Sequence, residues 1–182
     1  MEKKVLSEIV KLMKIKAPLV AKKAQAGQFI ILRIDEKGER IPLTIADFDR
    51  KKGTITIIFM EVGKTTKQLG TLKVGGFLEN FAGPLGMPSE IEKYGTVACI
   101  GGGVGIAPLY PIVKALKEAG NHVVSILGAR NKKLLLLEDE IESFSDEFYI
   151  ATDDGSKGHK GFNFSAISFV FDNHILNREQ NI

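Results

Sequence analysis

The first half of the chain consists of short apolar runs separated by polar and glycine-containing turns. Residues 28–34 are a compact apolar run that stops at residues 35–38, and residues 54–60 carry β-branched side chains at most positions. Both runs predict β-strands. Residues 5–16 fit helical spacing as well as strand spacing, and we interpret them as one strand. Several short strands in one block favour a small antiparallel barrel or sandwich.

The pattern changes across residues 83–88, where two prolines and two glycines fall within six positions. Beyond them, apolar strands alternate with amphipathic helical segments, which is the pattern of a parallel sheet with helical crossovers. The predicted strands are residues 96–100, 122–127 and 148–151, and the predicted helices are residues 106–119 and 134–144.

We therefore predict a two-domain protein. Residues 1–88 form an antiparallel β domain, residues 95–162 form an α/β domain, and residues 163–182 form a divergent tail.

Composition excludes several classes of protein. The 182 residues are 44% hydrophobic and 26% charged, as in ordinary globular proteins. Twenty-five basic and 22 acidic residues leave a net charge of +3 without a long basic block, so nucleic acid is not an expected partner. No segment approaches the ~20 apolar residues of a membrane span. The single cysteine, Cys99, cannot form an internal disulfide, which favours a cytoplasmic location.

A glycine loop follows the first strand of the α/β domain. Backbone N–H groups and the positive end of the next helix converge there on an anion, and glycines let a pyrophosphate approach closely. The loop departs from the usual dinucleotide fingerprint, and Gly128-Ala129-Arg130 replaces the acidic residue that contacts ribose in ordinary NAD dehydrogenases. A tight turn without a ligand is the alternative. The candidate ligand-binding residues of this loop are Gly101, Gly102, Gly103, Gly105, Ala107 and Pro108.

Polar residues end the next two strands. Arg130 follows the second strand and is suited to the ribose or 2′-phosphate of a nucleotide, although a solvated basic segment is equally compatible with it. Asp153, Asp154 and Gly155 follow the third strand, at the edge where open α/β sheets bind ligands. They are also typical turn residues.

Two further motifs lie in the β domain. Arg40 and Thr44 share one face of a strand and can address one extended ligand. Residues 63–66 (Gly63, Lys64, Thr65 and Thr66) begin a short helix and offer a second phosphate cradle, or simply an N-capped surface helix. The three histidines have no spacing that suggests a metal site, and Cys99 is interpreted as a small core residue.

The order of these motifs, with residues 26–29 before them and residues 83–86 between the two halves, closely resembles the ferredoxin–NADP reductase superfamily. Within it, the chain resembles the small subunit of NADH-dependent ferredoxin:NADP oxidoreductase and of sulfide dehydrogenase, a relative of the dihydroorotate dehydrogenase electron-transfer subunit. The resemblance runs to about Phe162. It implies an FAD-binding antiparallel barrel of six strands followed by an NAD(P)-binding α/β domain.

The resemblance also implies roles for residues. Arg40 would meet the FAD pyrophosphate, Leu43 would lie on the flavin ring and Thr44, the catalytic position, would lie near flavin N5. Further cofactor-binding positions are Pro42, Gly63, Lys64, Thr65 and Thr66 for FAD, and the loop residues named above with Gly128, Ala129, Arg130, Asp153, Asp154 and Gly155 for NAD(P)H. Hydride transfer from nicotinamide to flavin would precede single-electron transfer to ferredoxin or to a large flavin and iron–sulfur subunit.

The C-terminal part departs from this family. Related chains continue with further strands and a cysteine-rich segment that holds a [2Fe-2S] cluster, whereas no cysteine follows Cys99 here. We therefore expect a truncated or frame-shifted version of a longer protein whose α/β domain is incomplete. A non-enzymatic flavin-binding module, or an inactive fragment, is the alternative.

Overall fold

The computed structural model describes residues 2–161 of the chain. Residues 2–85, the antiparallel part, fold into two sheets that enclose one apolar core. The strands are β1 (Glu2–Val5), β2 (Val10–Lys16), β3 (Phe29–Arg33), β4 (Ile41–Thr44), β5 (Asp47–Asp49), β6 (Thr54–Met60) and β7 (Asn80–Leu85). Their order is β1-β2-β6-β5 in one sheet and β4-β3-β7 in the other, and every pairing is antiparallel. The helices of this part are α1 (Pro18–Lys23) and α2 (Lys64–Thr71).

The prediction of one strand over residues 5–16 is wrong in one respect. β1 ends at Val5 and the chain turns back, so that β1 pairs antiparallel with β2. The turn is closed by Ser7, whose hydroxyl accepts a hydrogen bond from the Val10 N–H (3.2 Å) while the Ser7 N–H donates to the Val10 carbonyl. This extra hairpin gives seven strands where the resemblance implied six.

Residues 96–161, the parallel part, form a four-stranded sheet with helices. Its elements are β8 (Thr96–Gly102), α3 (Ile106–Glu118), β9 (His122–Ala129), α4 (Glu138–Glu142), β10 (Glu147–Thr152) and β11 (His159–Lys160). The strand order is β11-β10-β9-β8 and every pairing is parallel, as predicted. Within the described residues, β8 is an edge of this sheet.

The predicted helix over residues 134–144 is wrong for most of its length. A short 3₁₀ turn covers Lys132–Leu134, Leu135 and Leu136 are buried, and Leu137 adopts a left-handed conformation (φ +53°). Only Glu138–Glu142 is α-helical, with three acidic side chains in its first turn, where the helix dipole favours them. Burial of both Leu135 and Leu136 in one core cluster overrides the helical propensity of this segment.

The two parts share apolar contacts. Val10, Ala46 and Ile58 of the antiparallel part belong to the same buried cluster as Ile106 and Val113 of α3. A second cluster, which includes Ile30 and Phe59, fills the interior between the two antiparallel sheets. The arrangement places the carboxyl edge of the parallel sheet beside the ends of β2 and β6. The predicted boundaries of the two domains stay a prediction.

Candidate functional site

The glycine loop is the turn between β8 and α3. β8 runs through Gly102, a 3₁₀ turn covers Gly103–Gly105, and α3 begins at Ile106. Gly103 has φ +54°, a conformation that favours glycine, and a Cβ at Gly103 or at Gly105 would meet no atom within 4 Å. These two glycines therefore face open space that a ligand can occupy.

Other members of the predicted loop have a packing role. A Cβ at Gly101 would lie 2.8 Å from Cδ2 of Leu109, so this glycine lets α3 pack closely on β8. Ala107 is 2% exposed and belongs to the buried cluster shared by the two parts, whereas Pro108 is half-buried in the first turn of α3. Packing therefore accounts for Gly101 and Ala107, and a role of either in ligand binding stays a prediction.

The ends of three parallel strands meet at one edge. Gly102 is the register partner of Gly128, and Ala129 is the partner of Thr152. The N–H of Asp153 donates to the Ala129 carbonyl (3.1 Å). These contacts hold the glycine loop and the two polar strand ends in one row, as the sequence predicts for parallel strands.

The two aspartates that follow β10 have different surroundings. The Asp154 carboxylate accepts a hydrogen bond from the Ser156 N–H (2.9 Å), and its hydrogen bonds with Ser156 lower the pKa of that carboxyl below its usual value. Gly155 has φ +74° in the same turn. Asp153, in contrast, lines a cavity beside the glycine loop. Asp154 thus lies in the turn and Asp153 lies at the cavity, and a role in ligand binding stays a prediction for both.

A cavity of about 610 Å³, the sheet-edge cavity, lies along this row. The parallel part contributes glycine, polar and apolar positions to its wall, and the antiparallel part contributes three apolar ones at the start of β2 and the end of β6. The lining residues are Ile9, Val10, Met60, Gly102, Gly103, Val104, Gly128, Ala129, Arg130, Leu134, Leu136 and Asp153. Sequence reasoning missed Met60 and Val10, because nothing in their local pattern shows which strand ends face the other part of the chain.

The motif that contains Arg40 lies at and before β4. Thr44 pairs with Phe29 across β3 and β4, which fixes its place in the sheet. Arg40 directly precedes β4 and is exposed, as is Pro42. Leu43 is half-buried and packs against the core of the antiparallel part. Strand alternation thus separates Leu43 from Arg40 and Thr44, and its predicted contact with a flavin ring stays a prediction.

The motif of residues 63–66 begins α2, as predicted. Thr66 accepts a hydrogen bond at its hydroxyl from the Gly63 N–H (3.0 Å). The first amide N–H groups of an α-helix have no partner within the helix, and they form the positive end of its dipole. Gly63 and Lys64 are exposed, whereas Thr65 is 7% exposed. The segment keeps the features of a phosphate cradle.

A side-chain contact brings the two motifs of the antiparallel part together. The Thr65 hydroxyl donates a hydrogen bond to the carboxylate of Glu39 (Oγ1 to Oε2, 2.5 Å), and Glu39 directly precedes Arg40. Glu39 and Thr65 line a cavity of about 780 Å³, the acidic-loop cavity. The other lining residues are Asp35, Glu36, Lys37, Gly38, Lys64 and Gln68. Sequence reasoning missed Glu39, since the contact joins residues 26 positions apart.

A third cavity and the single cysteine lie apart from these two candidate sites. A third cavity, of about 950 Å³, lies between residues 47–51 and α3 and contains none of the predicted site residues. Cys99 is 5% exposed, and burial raises the pKa of its thiol to about 11, which keeps the sulfur protonated and unreactive at neutral pH.

None of the helices within residues 2–161 has both the length and the apolar character that a membrane crossing requires.

Comparison with known proteins gives a family and several relatives. Residues 99–162 match the oxidoreductase NAD-binding domain family. The chain is 49% identical over 175 residues to a dihydroorotate dehydrogenase B (NAD(+)) electron transfer subunit homolog of Thermotoga maritima, an alignment that covers 91% of this chain and 62% of that protein. It is 36% identical to the dihydroorotate dehydrogenase B (NAD(+)) electron transfer subunit of Fusobacterium nucleatum, over 82% of this chain and 60% of the relative.

Solved structures show the same fold. A chain of the NADH-dependent reduced ferredoxin–NADP oxidoreductase, a structure that addresses flavin-based electron bifurcation, superposes with a TM-score of 0.89 at 47% identity, over 95% of this chain and 62% of the other. The cytochrome b5 reductase domain of Ulva prolifera nitrate reductase superposes with a TM-score of 0.65 at 19% identity, over 88% of this chain and 76% of the other, which supports the fold alone. The chain spans less than two thirds of the length of the curated relatives named here.

Proposed function

We propose that this chain, which belongs to the ferredoxin–NADP reductase superfamily, is an FAD- and NAD(P)H-binding electron-transfer subunit of an oxidoreductase. The observation that carries the proposal is the sheet-edge cavity. Gly103, which has open space at its Cα, lines it on one side with Arg130 and Asp153, and Met60 of the antiparallel part lines it on the other. A nicotinamide nucleotide bound there would lie between the two parts of the molecule.

The residues of the antiparallel part fit FAD. Arg40 is exposed at the start of β4, and its guanidinium suits a pyrophosphate through charge-assisted hydrogen bonds. Its neighbour in sequence, Glu39, contacts Thr65 in the first turn of α2, where an anion is favoured. The acidic-loop cavity provides space of about 780 Å³ beside this turn. In this proposal, Arg40, Lys64, Thr65 and Thr66 hold the diphosphate and ribityl region.

Within this proposal the chain's own residues orient and shield the reactants. Bound FAD would supply the redox chemistry, by accepting a hydride from NAD(P)H and releasing electrons singly to an iron–sulfur centre. Thr44, held by its pairing with Phe29, presents a hydroxyl at the end of β4. Met60 and Val10 give the cavity an apolar wall, which would reduce the access of water to a bound nucleotide. The chain then needs positioning residues and no acid or base of its own.

The partner in this proposal is a large subunit with flavin and iron–sulfur centres, or ferredoxin. The support comes from the names of the relatives, which are electron transfer subunits, and from the oxidoreductase structure that matches at 47% identity. The specific activity that we propose for this chain is the transfer of electrons from NAD(P)H through FAD to ferredoxin.

Anaerobic reduction of bound flavin tests the proposed function. The full chain is loaded with FAD and mixed with NADH or NADPH, and flavin absorbance is followed with time. Rapid bleaching, with turnover when an artificial electron acceptor is added, is the expected result. Stable FAD binding without reduction by either nucleotide would instead support the non-enzymatic flavin-binding module.

Arg40→Ala tests the flavin site. Loss of a charge-assisted contact to the pyrophosphate should weaken FAD binding by about 1.5–3 kcal/mol. Arg50→Ala is the matched control, because Arg50 is an exposed arginine of the same part that stacks on Phe48, 4.7 Å from its ring centre. Equal FAD dissociation constants for wild type and Arg40→Ala would contradict the assignment of Arg40.

Arg130→Ala tests the choice between the two nicotinamide nucleotides. Arg130 lines the sheet-edge cavity and is a candidate partner of a 2′-phosphate, whereas the exposed Lys133 of the same segment does not line the cavity. We expect Arg130→Ala to weaken NADPH binding more than NADH binding, and Lys133→Ala to change both little. If Arg130→Ala changes both dissociation constants by the same factor, Arg130 does not discriminate between them.

A further inference from the structure

The contact between Glu39 and Thr65 places a carboxylate at the candidate phosphate cradle. Thr65 is the second residue of α2, is 7% exposed and donates its hydroxyl hydrogen to Glu39 Oε2 over 2.5 Å. Glu39 itself is exposed at the rim of the acidic-loop cavity. The proposed function assigns the Thr65 hydroxyl to a phosphate oxygen, but here that hydroxyl donates its hydrogen bond to a carboxylate.

The other charges of this cavity do not compensate for Glu39. Its wall carries the carboxylates of Asp35, Glu36 and Glu39 against the ammonium groups of Lys37 and Lys64. The Asp35 carboxylate is already engaged, since it accepts hydrogen bonds from the side chain of Gln68 (2.7 Å) and from the Lys37 N–H (3.0 Å). Glu39 is the carboxylate that contacts the first turn of α2.

We propose that Glu39 competes with the phosphate groups of the flavin for Thr65. This inference rests on the proposed function, because it assigns a residue to the FAD site of the antiparallel part. The Glu39 carboxylate holds the Thr65 hydroxyl while the cradle is free of phosphate, and it releases that hydroxyl when the dinucleotide binds. Glu39 thereby lowers the affinity of the site for FAD and makes loading reversible.

Donor counting explains why the two contacts exclude each other. A threonine hydroxyl has one hydrogen to donate, and an ionised carboxylate and a phosphate are both acceptors. Thr65 can therefore satisfy Glu39 or a phosphate oxygen, but not both. A carboxylate left beside a bound phosphate also repels it, because like charges at short range are unfavourable. Both effects depend on the phosphate groups and not on the isoalloxazine ring.

The test compares flavins with and without phosphate. Dissociation constants of FAD and riboflavin are measured by fluorescence titration of the flavin-free full chain, as wild type, Glu39→Gln and Glu36→Gln. Glu39→Gln keeps an acceptor for Thr65 and removes the charge. Glu36→Gln makes the same change of charge at a residue that lines the same cavity and whose carboxylate does not contact Thr65.

We expect Glu39→Gln to tighten FAD binding about tenfold and riboflavin binding less than about twofold, the first corresponding to about 1.4 kcal/mol. Glu36→Gln should change either constant less than about twofold. In a Thr65→Val background the gain from Glu39→Gln should shrink, because the contested hydroxyl is gone. Glu39→Ala should tighten FAD binding in the same direction, which covers the case in which the glutamine variant fails to fold.

Several outcomes would overturn the inference. Equal FAD constants for wild type and Glu39→Gln would overturn it and leave the proposed function intact, as would tighter binding of riboflavin by the same factor as FAD. Weaker FAD binding by Glu39→Gln would show that Glu39 holds the flavin itself. Absence of flavin binding by the wild type would overturn the proposed function, and the inference with it.

Discussion

Glycines of the loop after β8 serve two different purposes at the scale of single residues. Gly101 is required by the fold, because a Cβ there would lie 2.8 Å from the Leu109 side chain. Gly105 has φ −64° and ψ −12°, which any residue adopts, and a Cβ there would meet no atom within 4 Å. The fold therefore does not explain Gly105, and close approach of a ligand to this position stays a prediction.

We predict that Gly105→Ala leaves stability unchanged or raised by up to about 1 kcal/mol, since alanine restricts the unfolded chain. The same variant should weaken NAD(P)H binding by about tenfold, or 1.4 kcal/mol. Thermal unfolding and nucleotide titration measure the two effects. Gly101→Ala is the contrasting variant, and overpacking should cost it about 1–3 kcal/mol of stability. Normal nucleotide binding by Gly105→Ala would remove Gly105 from the site.

At the scale of elements, one buried amide fixes the start of the parallel part. Asn121 is 3% exposed and lies between α3 and β9. Its side-chain carbonyl accepts from the N–H groups of Tyr94 (2.7 Å) and Gly95 (3.1 Å), and its NH₂ group donates to the carbonyls of Glu92 (2.8 Å) and Leu116 (2.9 Å). All four hydrogen-bonding positions of the amide are satisfied, and the segment before β8 is held to the end of α3.

Asn121→Ala should lower the free energy of unfolding by about 3 kcal/mol, because the 3% exposed amide makes four hydrogen bonds to backbone groups and all four are lost. Asn131→Ala is the control. Asn131 accepts one hydrogen bond from the Lys133 N–H (3.0 Å) at a half-buried position, and its loss should cost about 1 kcal/mol or less. Denaturant unfolding measures both. A cost for Asn121→Ala no larger than that of Asn131→Ala would contradict this account of the segment.

At the scale of the whole molecule, the antiparallel and parallel parts share buried surface. Ile58 of β6 is 6% exposed and lies in one cluster with Ile106, which is fully buried. An ion pair between Lys114 of α3 and Asp47 of β5, with 3.9 Å between Nζ and Oδ1, joins the same two parts. Burial raises the pKa of Asp47, which agrees with its partly enclosed position between them.

We predict that the full chain unfolds in one cooperative transition, with equal calorimetric and van't Hoff enthalpies. Ile58→Ala should lower the stability of both parts together by about 2–4 kcal/mol, because it opens a cavity in the shared cluster. Hydrogen exchange of amides in β6 and β9 provides the readout for each part. Leu19→Ala, at an 82% exposed position, serves as the control. Loss of protection in β6 alone would indicate that the two parts unfold independently.

Local pattern was sufficient for several strands and for the position of the glycine loop. β6 and β9 are long runs of apolar and β-branched residues with turns before them, and they were predicted to within two residues at each end. The glycine loop was placed correctly between β8 and α3, since glycine spacing and strand-to-helix succession are properties of neighbouring residues. The motif order also sufficed to predict the superfamily.

Tertiary structure alone decided the rest. Residues 134–137, before α4, are not α-helical where their composition favours a helix, because Leu135 and Leu136 are buried in the core. Met60 reaches the sheet-edge cavity and Glu39 reaches Thr65 through contacts between distant segments. Propensity and spacing describe interactions within about one turn of chain, whereas these contacts depend on how whole sheets pack, so no local pattern could reveal them.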